Sequence, residues 1–328
     1  MISEKTYKLL VISQIPNVGK AMINKVAKQI SDWDLDVNEL AVKYFANQPR
    51  VSLSHVPEEA IQKADDILAQ AKQFGDTIIS QQDDIYPNSL RLTSDAPAFL
   101  YCRGNLDLLN SRSIAVIGTR EPSEHGKLIG ERVTKWFVDQ GWVIVSGLAK
   151  GIDTIAHQTC LANHGKTIAI YGNHLNKVYP AENKKLVQDI LDSDGLLISE
   201  YDYHNEGRPS QFVERDRIQA GLSTGVVLVQ SDLTGGSMHA SKAILKYDRY
   251  LIILNQSNKD IGEQYKKTEA NLFLLNSNVE MVKKQLGLKS LNESQLIKLM
   301  SSDDYEKANA ILLNQQREFV SNSDNSLF

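Results

Sequence analysis

The spacing of apolar residues changes character along the chain. Over residues 1–72, apolar side chains recur at helical intervals, which predicts a small helical domain. From 113 to about 255, short apolar runs rich in β-branched residues alternate with helical patterns, and such alternation predicts βαβ units around a parallel sheet. Helical spacing returns over 293–319, and the polar residues 320–328 are expected to be disordered.

Individual elements can be predicted within the alternating region. The predicted strands are apolar runs at 113–118, 142–146, 167–171, 195–199, 225–230 and 250–254. The predicted helices are amphipathic segments at 124–140, 152–164, 181–193, 211–221 and 237–247. Two shorter β-like runs, 76–80 and 98–102, come before them. We therefore expect an α/β fold over 73–288, in which helices flank a parallel sheet, and a C-terminal helical segment with a tail over 289–328.

The N-terminal helices are interrupted by a Gly-containing turn at 16–19. A helix, a short turn and a second helix resemble a helix-hairpin-helix or a sterile-alpha-motif-like module. The backbone amides of such a hairpin can grip a phosphate, whereas a pure packing module binds no ligand. Only Lys20 and Lys25 add charge near the turn, which favours the packing interpretation.

Composition restricts the compartment and the kind of partner. The chain has a net charge of −4, so nucleic-acid binding would need a local basic patch. Cys102 and Cys160 lie in apolar contexts, which indicates buried thiols in a reducing cytoplasm. The N-terminus has no secretion signal, and no apolar run reaches the length of a membrane span. We expect a cytoplasmic protein.

Glycine and polar residues follow the first two strands of the alternating region. The residues there that could face a phosphate are Gly118, Thr119, Arg120, Ser146, Gly147 and Lys150. Glycine lets a phosphate approach the backbone, a helix start offers free N–H groups, and arginine can bind a phosphate through two parallel hydrogen bonds. Open α/β sheets bind ligands at the carboxyl ends of their strands. These loops therefore predict a site for the phosphates of a nucleotide or of a nucleic-acid backbone.

A second glycine-rich segment opens the last helix of the region. Gly235, Gly236 and Ser237 stand at its start, where backbone N–H groups can bind a phosphate. The chain has neither the P-loop pattern nor the Gly-x-Gly-x-x-Gly dinucleotide fingerprint. These absences argue against an ATPase and against a nicotinamide-dependent dehydrogenase.

The most basic local feature surrounds the predicted helix at 211–221. Its members are Arg208, Phe212, Arg215 and Arg217. Side chains two residues apart on a helix point in different directions, so Arg215 and Arg217 cannot both face one ligand. One of them can pair with Asp216, Glu214 or Glu200 while the other meets a phosphate. A solvated, charged helix end explains the same spacing equally well.

Asp153 and His157 open the second helix and allow two interpretations. A carboxylate in the first helical turn is favourable against the helix dipole, which makes the pair a cap that shapes the pocket floor. The alternative is an acid–base pair, but no partner nucleophile is evident. The histidines lack the spacing of metal ligands, so no metal and no catalytic residue are predicted.

Taken together, these blocks resemble the DNA-processing protein A (DprA/Smf) family, and the chain is identified as a divergent member. The residues that carry the resemblance are Tyr86 and Pro87, 97–100, 103–105, 116–120, Gly126, 146–153, Ala156 and His157, Tyr179, Pro180 and Asn183, Ser199 and Glu200, Phe212 and 215–217. The resemblance implies an extended Rossmann-like domain that binds single-stranded DNA, protects it and helps to load a RecA-type recombinase during natural transformation. It also implies a homodimer with no cofactor and no catalysed reaction.

Carried over residue by residue, the resemblance makes one set DNA-facing: Gly118, Thr119, Arg120, Ser146, Gly147, Arg215 and Arg217. The chain departs from the family pattern at three places. Asp216 stands where the family usually has asparagine, Gly235 stands where it has serine, and 254–256 lack the usual Pro-Gly. The C-terminus also looks too short for the winged helix that many members carry.

A different class of function stays open. Related Rossmann-like folds include nucleotide phosphoribohydrolases that resemble the cytokinin-activating LOG enzymes. Their Pro-Gly-Gly-x-Gly-Thr motif is only faintly echoed at 234–237, and no glutamate follows in place. The alternative prediction is therefore a nucleotide-binding sensor or a LOG-like enzyme.

Overall fold

A computed structural model of the chain describes residues 2–48, 51 and 53–324, with side chains up to residue 316. Four helices come first: α1 (Glu4–Ser13), α2 (Lys20–Ala27), α3 (Val37–Phe45) and α4 (Glu58–Phe74). Local chemistry sets their ends. The Ser3 hydroxyl accepts a hydrogen bond from the Thr6 N–H at the start of α1, and α4 stops at Gly75, whose φ of 71° suits glycine.

A single sheet follows, and nine of the described segments belong to it. The strands are β1 (Thr77–Ser80), β2 (Phe99–Gly104), β3 (Ser113–Ile117), β4 (Val143–Ser146), β5 (Thr167–Ile170), β6 (Leu196–Ser199), β7 (Gly225–Leu228), β8 (Tyr250–Leu254) and β9 (Leu296–Leu299). Their order is β1-β2-β6-β5-β4-β3-β7-β8-β9. Strands β1 and β2 run antiparallel to their neighbours, and all other pairs are parallel. The predicted α/β fold with a largely parallel sheet is confirmed.

The remaining helices cover both faces of the sheet. They are α5 (Asn88–Arg91), α6 (Glu124–Asp139), α7 (Ile152–Ala162), α8 (Lys184–Asp192), α9 (Gln211–Glu214), α10 (Asp216–Leu222), α11 (Ser237–Lys246), α12 (Asn258–Gly262), α13 (Glu269–Asn276), α14 (Val279–Leu286) and α15 (Tyr305–Asp324). Successive side chains of β3 point to opposite faces of the sheet and pack in different cores. Ile114 and Val116 pack in one core with α6 and α7, whereas Ala115 and Ile117 pack in another with α10 and α11.

The N-terminal helices share their core with the sheet. Leu10, Phe45 and Ile67 of α1, α3 and α4 belong to the same buried cluster as Ala169 of β5 and Leu197 of β6. The helices therefore cover one face of the sheet near β5 and β6, next to the area that α6 and α7 cover.

Two sequence predictions for the C-terminal part were wrong. The predicted helical region 293–319 contains β9, which pairs in parallel with β8. The strand has only three apolar residues, with Lys298 among them, and so short a pattern fits both periods. The free edge of β8 supplied the hydrogen-bonding partner that made it a strand. Helix α15 also continues to Asp324, past the point where disorder was predicted, while 325–328 lie outside the described residues. Among the described helices, none is long and apolar enough to cross a membrane.

The strand order reverses at β3. The chain places β4, β5 and β6 successively on one side of β3, and then returns to place β7 and β8 on the other. The loops that leave β3 and β7 consequently turn away from each other. A crevice outside the carboxyl ends of the strands results, which is where open α/β sheets bind ligands.

The shared core predicts joint unfolding of the N-terminal helices and the sheet. Leu197 is fully buried between them, so Leu197→Ala should lower the free energy of unfolding by about 2–5 kcal/mol. Urea denaturation followed by circular dichroism should show a single transition at lower urea for this variant. The exposed Lys135→Ala serves as control, with a change of about 0.5 kcal/mol or less. A separate early transition of the helices would contradict the prediction.

Candidate functional site

A groove of about 780 Å³ lies at the carboxyl ends of the parallel strands. The loops after β3, β5, β6 and β7 form its walls, and the first turn of α7 reaches its floor. Predicted site residues that line the groove are Gly118, Thr119, Arg120, Arg208, Phe212, Arg215, Gly235, Gly236 and Ser237. The fold thus brings together residues that are as far apart as 118 and 237 in the sequence.

The loop after β3 presents one arginine to the groove. A Cβ on Gly118 would lie 2.6 Å from Cγ1 of Ile152, so only glycine lets α7 pack this close. The Thr119 N–H donates to the Gln230 carbonyl at 2.7 Å, which fixes the loop against the end of β7. Arg120 follows and is exposed, and it makes no ion pair with any described residue. Its guanidinium is therefore available to an anion.

The start of α11 forms the opposite wall. A Cβ on Gly236 would meet no atom within 4 Å, so the backbone there faces open space. No side chain caps the helix, and the Ser237 hydroxyl donates to the Ser231 hydroxyl at 2.8 Å. The Met238 and His239 N–H groups donate to the Gly235 and Gly236 carbonyls, so the N–H groups of Gly236 and Ser237 are the ones that can favour a bound anion at the start of this ten-residue helix.

Arg215 lies buried at the groove floor. Only 4% of it is exposed, and a Cβ on Gly147 would lie 1.2 Å from its Nη1, so the guanidinium covers the glycine. Its Nη2 is 3.5 Å from Oδ2 of Asp153, and its Nη1 is 3.5 Å from Oδ1 of Asp216. Two carboxylates thus offset this positive charge. Gly147 does not line the groove. Because it has no side chain, it leaves the space that the Arg215 guanidinium occupies.

Both carboxyl groups beside Arg215, those of Asp153 and Asp216, have a pKa above the ordinary value for aspartate. Burial raises the pKa of Asp216 to about 7, the Arg215 charge lowers it, and Asp153 raises it again. Burial also raises the pKa of Asp153, against the lowering effect of Arg215. The Gln219 amide donates to Oδ1 of Asp216 at 2.8 Å. The charge of the groove floor therefore changes near neutral pH.

Besides Gly147, three predicted site residues lie outside the groove. Arg217 forms an ion pair with the buried Glu200, which also binds Lys20 of α2 at 2.7 Å. The prediction that Arg215 and Arg217 point in different directions is confirmed. The Ser146 hydroxyl is buried and donates to the Val116 carbonyl at 2.8 Å, where it joins β3 to β4.

Lys150 is the third residue that the groove does not include. Its Nζ forms an ion pair with Oε1 of Glu182 at 2.6 Å. Both side chains are more than half exposed, so solvent screens this pair. The sequence placed Lys150 correctly in the loop after β4, but that loop turns its side chain away from the neighbouring strand ends.

The loop after β6 supplies the other free arginine. Arg208 is exposed at the groove and has no ion pair within the described part of the chain. Phe212 follows on α9, and its ring lies against Gly172, where a Cβ would be 2.7 Å from Cδ1 of the ring. The ring also contacts Tyr179, with the two centroids 4.9 Å apart.

His157 belongs to the core and not to the groove. It is fully buried, and its Nδ1 lies 2.7 Å from the Thr167 hydroxyl, which itself donates to the Ile144 carbonyl. Burial and the Arg215 charge lower the pKa of His157 to about 3, so the imidazole is neutral near pH 7. These contacts favour the structural interpretation over an acid–base pair. Across the described residues, no cluster of His, Cys, Asp or Glu could hold a metal ion.

Sequence analysis missed two lysines at the groove. The Lys267 ammonium pairs with Asp232 at 2.8 Å, and the Lys177 ammonium donates to the Glu206 carbonyl at 2.9 Å. Lys177 follows a predicted strand end by a few residues, so its loop position was a usable signal. Lys267 comes from the segment after β8, and nothing in its local sequence indicates a return to β7.

Comparison with known proteins agrees with this geometry. The family described as DNA recombination-mediator protein A matches residues 77–284, which include every strand from β1 to β8 and all the groove loops. The chain belongs to this family. DNA processing protein DprA of Streptococcus pneumoniae is 44% identical over 156 residues, 48% of this chain and 55% of that protein. Protein Smf of Synechocystis is 29% identical over 305 residues, 90% of this chain and 72% of that relative.

Solved structures of the DNA recombination-mediator family show the same Rossmann-like fold. DNA processing protein A from Streptococcus pneumoniae matches with a TM-score of 0.64 at 28% identity, over 83% of this chain and 98% of that one. DNA processing protein A from Helicobacter pylori, described for its unique single-stranded DNA binding mode, matches with a TM-score of 0.57 at 27% identity, over 73% and 96%. The chain spans about half the length of the pneumococcal relative in the sequence match.

The close contact between Gly147 and the Arg215 guanidinium predicts that two glycine substitutions differ strongly in their effect on the free energy of unfolding. Gly147→Ala would drive a methyl group into the guanidinium and separate it from Asp153 and Asp216, so the free energy of unfolding should fall by about 1–3 kcal/mol. Gly236→Ala should change it by less than about 1 kcal/mol, because its surroundings are empty and its φ of −55° suits alanine. Urea denaturation of both variants tests this, and equal stabilities would contradict it.

Proposed function

We propose that the protein is a cytoplasmic, non-catalytic protein that binds single-stranded DNA in the groove. The observation that carries the proposal is the presence of two exposed guanidinium groups at one groove, Arg120 and Arg208, neither of which has an ion pair within the described residues. The uncapped start of α11 adds a third element that attracts anions. Guanidinium groups and backbone N–H groups are suited to phosphates.

A single strand suits this arrangement better than a duplex. The contacts on offer go to phosphates and leave the base edges free, as in proteins that bind single strands without sequence preference. Membership of a family described as recombination mediators, and a structural neighbour described for its single-stranded DNA binding mode, support this choice. Because the whole chain carries a net charge of −4, attraction to the strand is confined to the groove.

Loss of one free arginine should weaken strand binding. Arg120→Gln keeps a polar, though shorter, side chain and removes its charge, so the affinity for an oligothymidylate should fall roughly 10-fold or more at low salt. The slope of log K against log salt should shrink by about one phosphate contact. Fluorescence anisotropy with a labelled strand measures both quantities. Arg132→Gln is the matched control, since Arg132 is exposed on α6 and does not line the groove.

The same titration discriminates between the classes of function. Failure of the parent protein to bind the strand at micromolar concentration would overturn the proposal, as would equal binding by Arg120→Gln. If the protein instead releases free base from nucleoside monophosphates, it is a nucleotide phosphoribohydrolase. A thermal shift with nucleotides but not with the strand would indicate a nucleotide sensor.

The finer parts of the proposal rest on family membership alone. We propose that the protein acts as a homodimer, protects single strands and assists a RecA-type recombinase in DNA uptake or recombination. Light scattering on the purified protein tests the dimer. A strand-exchange assay with a RecA-type recombinase and a single-strand-binding protein tests the loading step, which should be faster with the parent protein than with Arg120→Gln.

Strand affinity should depend on pH through Asp216. This carboxyl group lines the groove, faces Arg215, Asp153, Arg120 and Gln219, and has its pKa raised to about 7. Its protonated form removes a negative charge from the phosphate path. Affinity should therefore be higher below about pH 6 and should fall several-fold as pH rises through about 7 to about 8.

The matched variant for this test is Asp216→Asn, which keeps the size and removes the charge. It should bind the strand at about pH 8 as tightly as the parent protein does at about pH 6, with a flat profile between them. Anisotropy titrations at constant ionic strength measure the profile. A parent profile that is flat, or one that keeps its slope in Asp216→Asn, would show that this carboxyl group does not act on the strand.

A further inference from the structure

Tyr179 places a large aromatic ring at the groove without an evident structural reason. The side chain lines the groove and is 52% exposed, although apolar rings of this size usually gain stability by burial. Within the described residues its hydroxyl makes no hydrogen bond. The exposed neighbour Val213, which also lines the groove, extends the apolar surface.

The ring has a fixed support. Phe212 lies behind it, with ring centroids 4.9 Å apart and planes inclined by 51°. Phe212 itself cannot retreat, because it already rests on the Gly172 backbone, where even a methyl group would come within 2.7 Å of the ring. Tyr179 is therefore held in place on one side and open to the groove on the other. A rigid, half-exposed aromatic side chain binds a flat ligand at low entropic cost.

The position of the ring relative to the anion-binding groups suggests the ligand. Tyr179 belongs to the loop after β5, Arg120 follows β3, and only β4 lies between these two strands. The two strands themselves are about 10 Å apart. Because Tyr179, Arg120 and the start of α11 line one groove, a nucleotide whose phosphate binds near Arg120 can direct its base toward Tyr179.

We propose that Tyr179 is a stacking platform for a nucleobase of the bound strand, with Phe212 as its support. The inference rests on the proposed function, since it gives the groove a face for bases in addition to its phosphate contacts. Stacking uses the π-face that every base has, so the platform accepts any base and adds affinity without sequence preference.

The experiment compares two strands and three variants. The strands are an oligothymidylate of about 12 nucleotides and an abasic strand of the same length, which has the same phosphates and no bases. Tyr179→Ala removes the ring, and Tyr179→Phe keeps the ring and removes the hydroxyl. Leu92→Ala is the control, because Leu92 is 58% exposed and does not line the groove. Circular dichroism and thermal unfolding verify that each variant is folded.

Tyr179→Ala should lose roughly 5-fold or more in affinity for the oligothymidylate and should bind the abasic strand like the parent protein. Tyr179→Phe and Leu92→Ala should match the parent protein on both strands. Unchanged oligothymidylate binding by Tyr179→Ala, or an equal loss on both strands, would overturn the platform while the proposed function stands. A loss shared by Tyr179→Phe would assign the effect to the hydroxyl and also overturn it. If the parent protein binds neither strand, both proposals fail.

Discussion

The reversal of strand order at β3 is the constraint on which the groove depends. Parallel strands end at one edge of the sheet, so their loops would crowd that edge if the chain always advanced in one direction. Here β4 and β7 flank β3 on opposite sides, and the loops after β3 and β7 separate. The groove forms in that gap. Gly118 then permits tight packing below it, while Arg120 and the start of α11 remain open to solvent above it.

The attraction of the groove for anions depends on which of its arginine side chains already form ion pairs with carboxylates. Arg215 sits between two carboxyl groups, and Arg217 is held by Glu200. Their charges therefore stabilise contacts within the protein and contribute less to the attraction of a ligand. Arg120 and Arg208 differ because neither forms an ion pair within the described residues, although Asp216 lies near enough to Arg120 to feel its charge. The number of basic residues in a motif is thus a poor guide to its attraction for phosphate. What matters is whether each basic side chain already forms an ion pair.

Sequence patterns predicted much of the fold because βα alternation leaves strong periodic signals. Strands β3 to β8 and helices α6, α7 and α11 lie within two residues of their predicted bounds. Strand β9 was missed because its three apolar residues and one lysine fit either period, and its partner strand β8 lies far earlier in the chain. At the site, glycine-rich loops identified Gly118 and Gly236. Glu200, the partner of Arg217, was among the three acids expected to pair with one of the two arginines. The partner of Lys150 could not be predicted, because an ion pair between distant segments leaves no local pattern.

The link between α2 and the groove wall has a consequence for dissection of the protein. Lys20 binds both Glu200 and Glu214, and the residues of α1 to α4 cover apolar side chains of β5 and β6. A fragment trimmed to the family match at 77–284 would expose Leu197 and would leave Glu200 with one cation fewer. Such a fragment would tend to aggregate through its exposed apolar surface. Failure of the fragment to bind a strand would then reflect the loss of the N-terminal helices and not the chemistry of the groove.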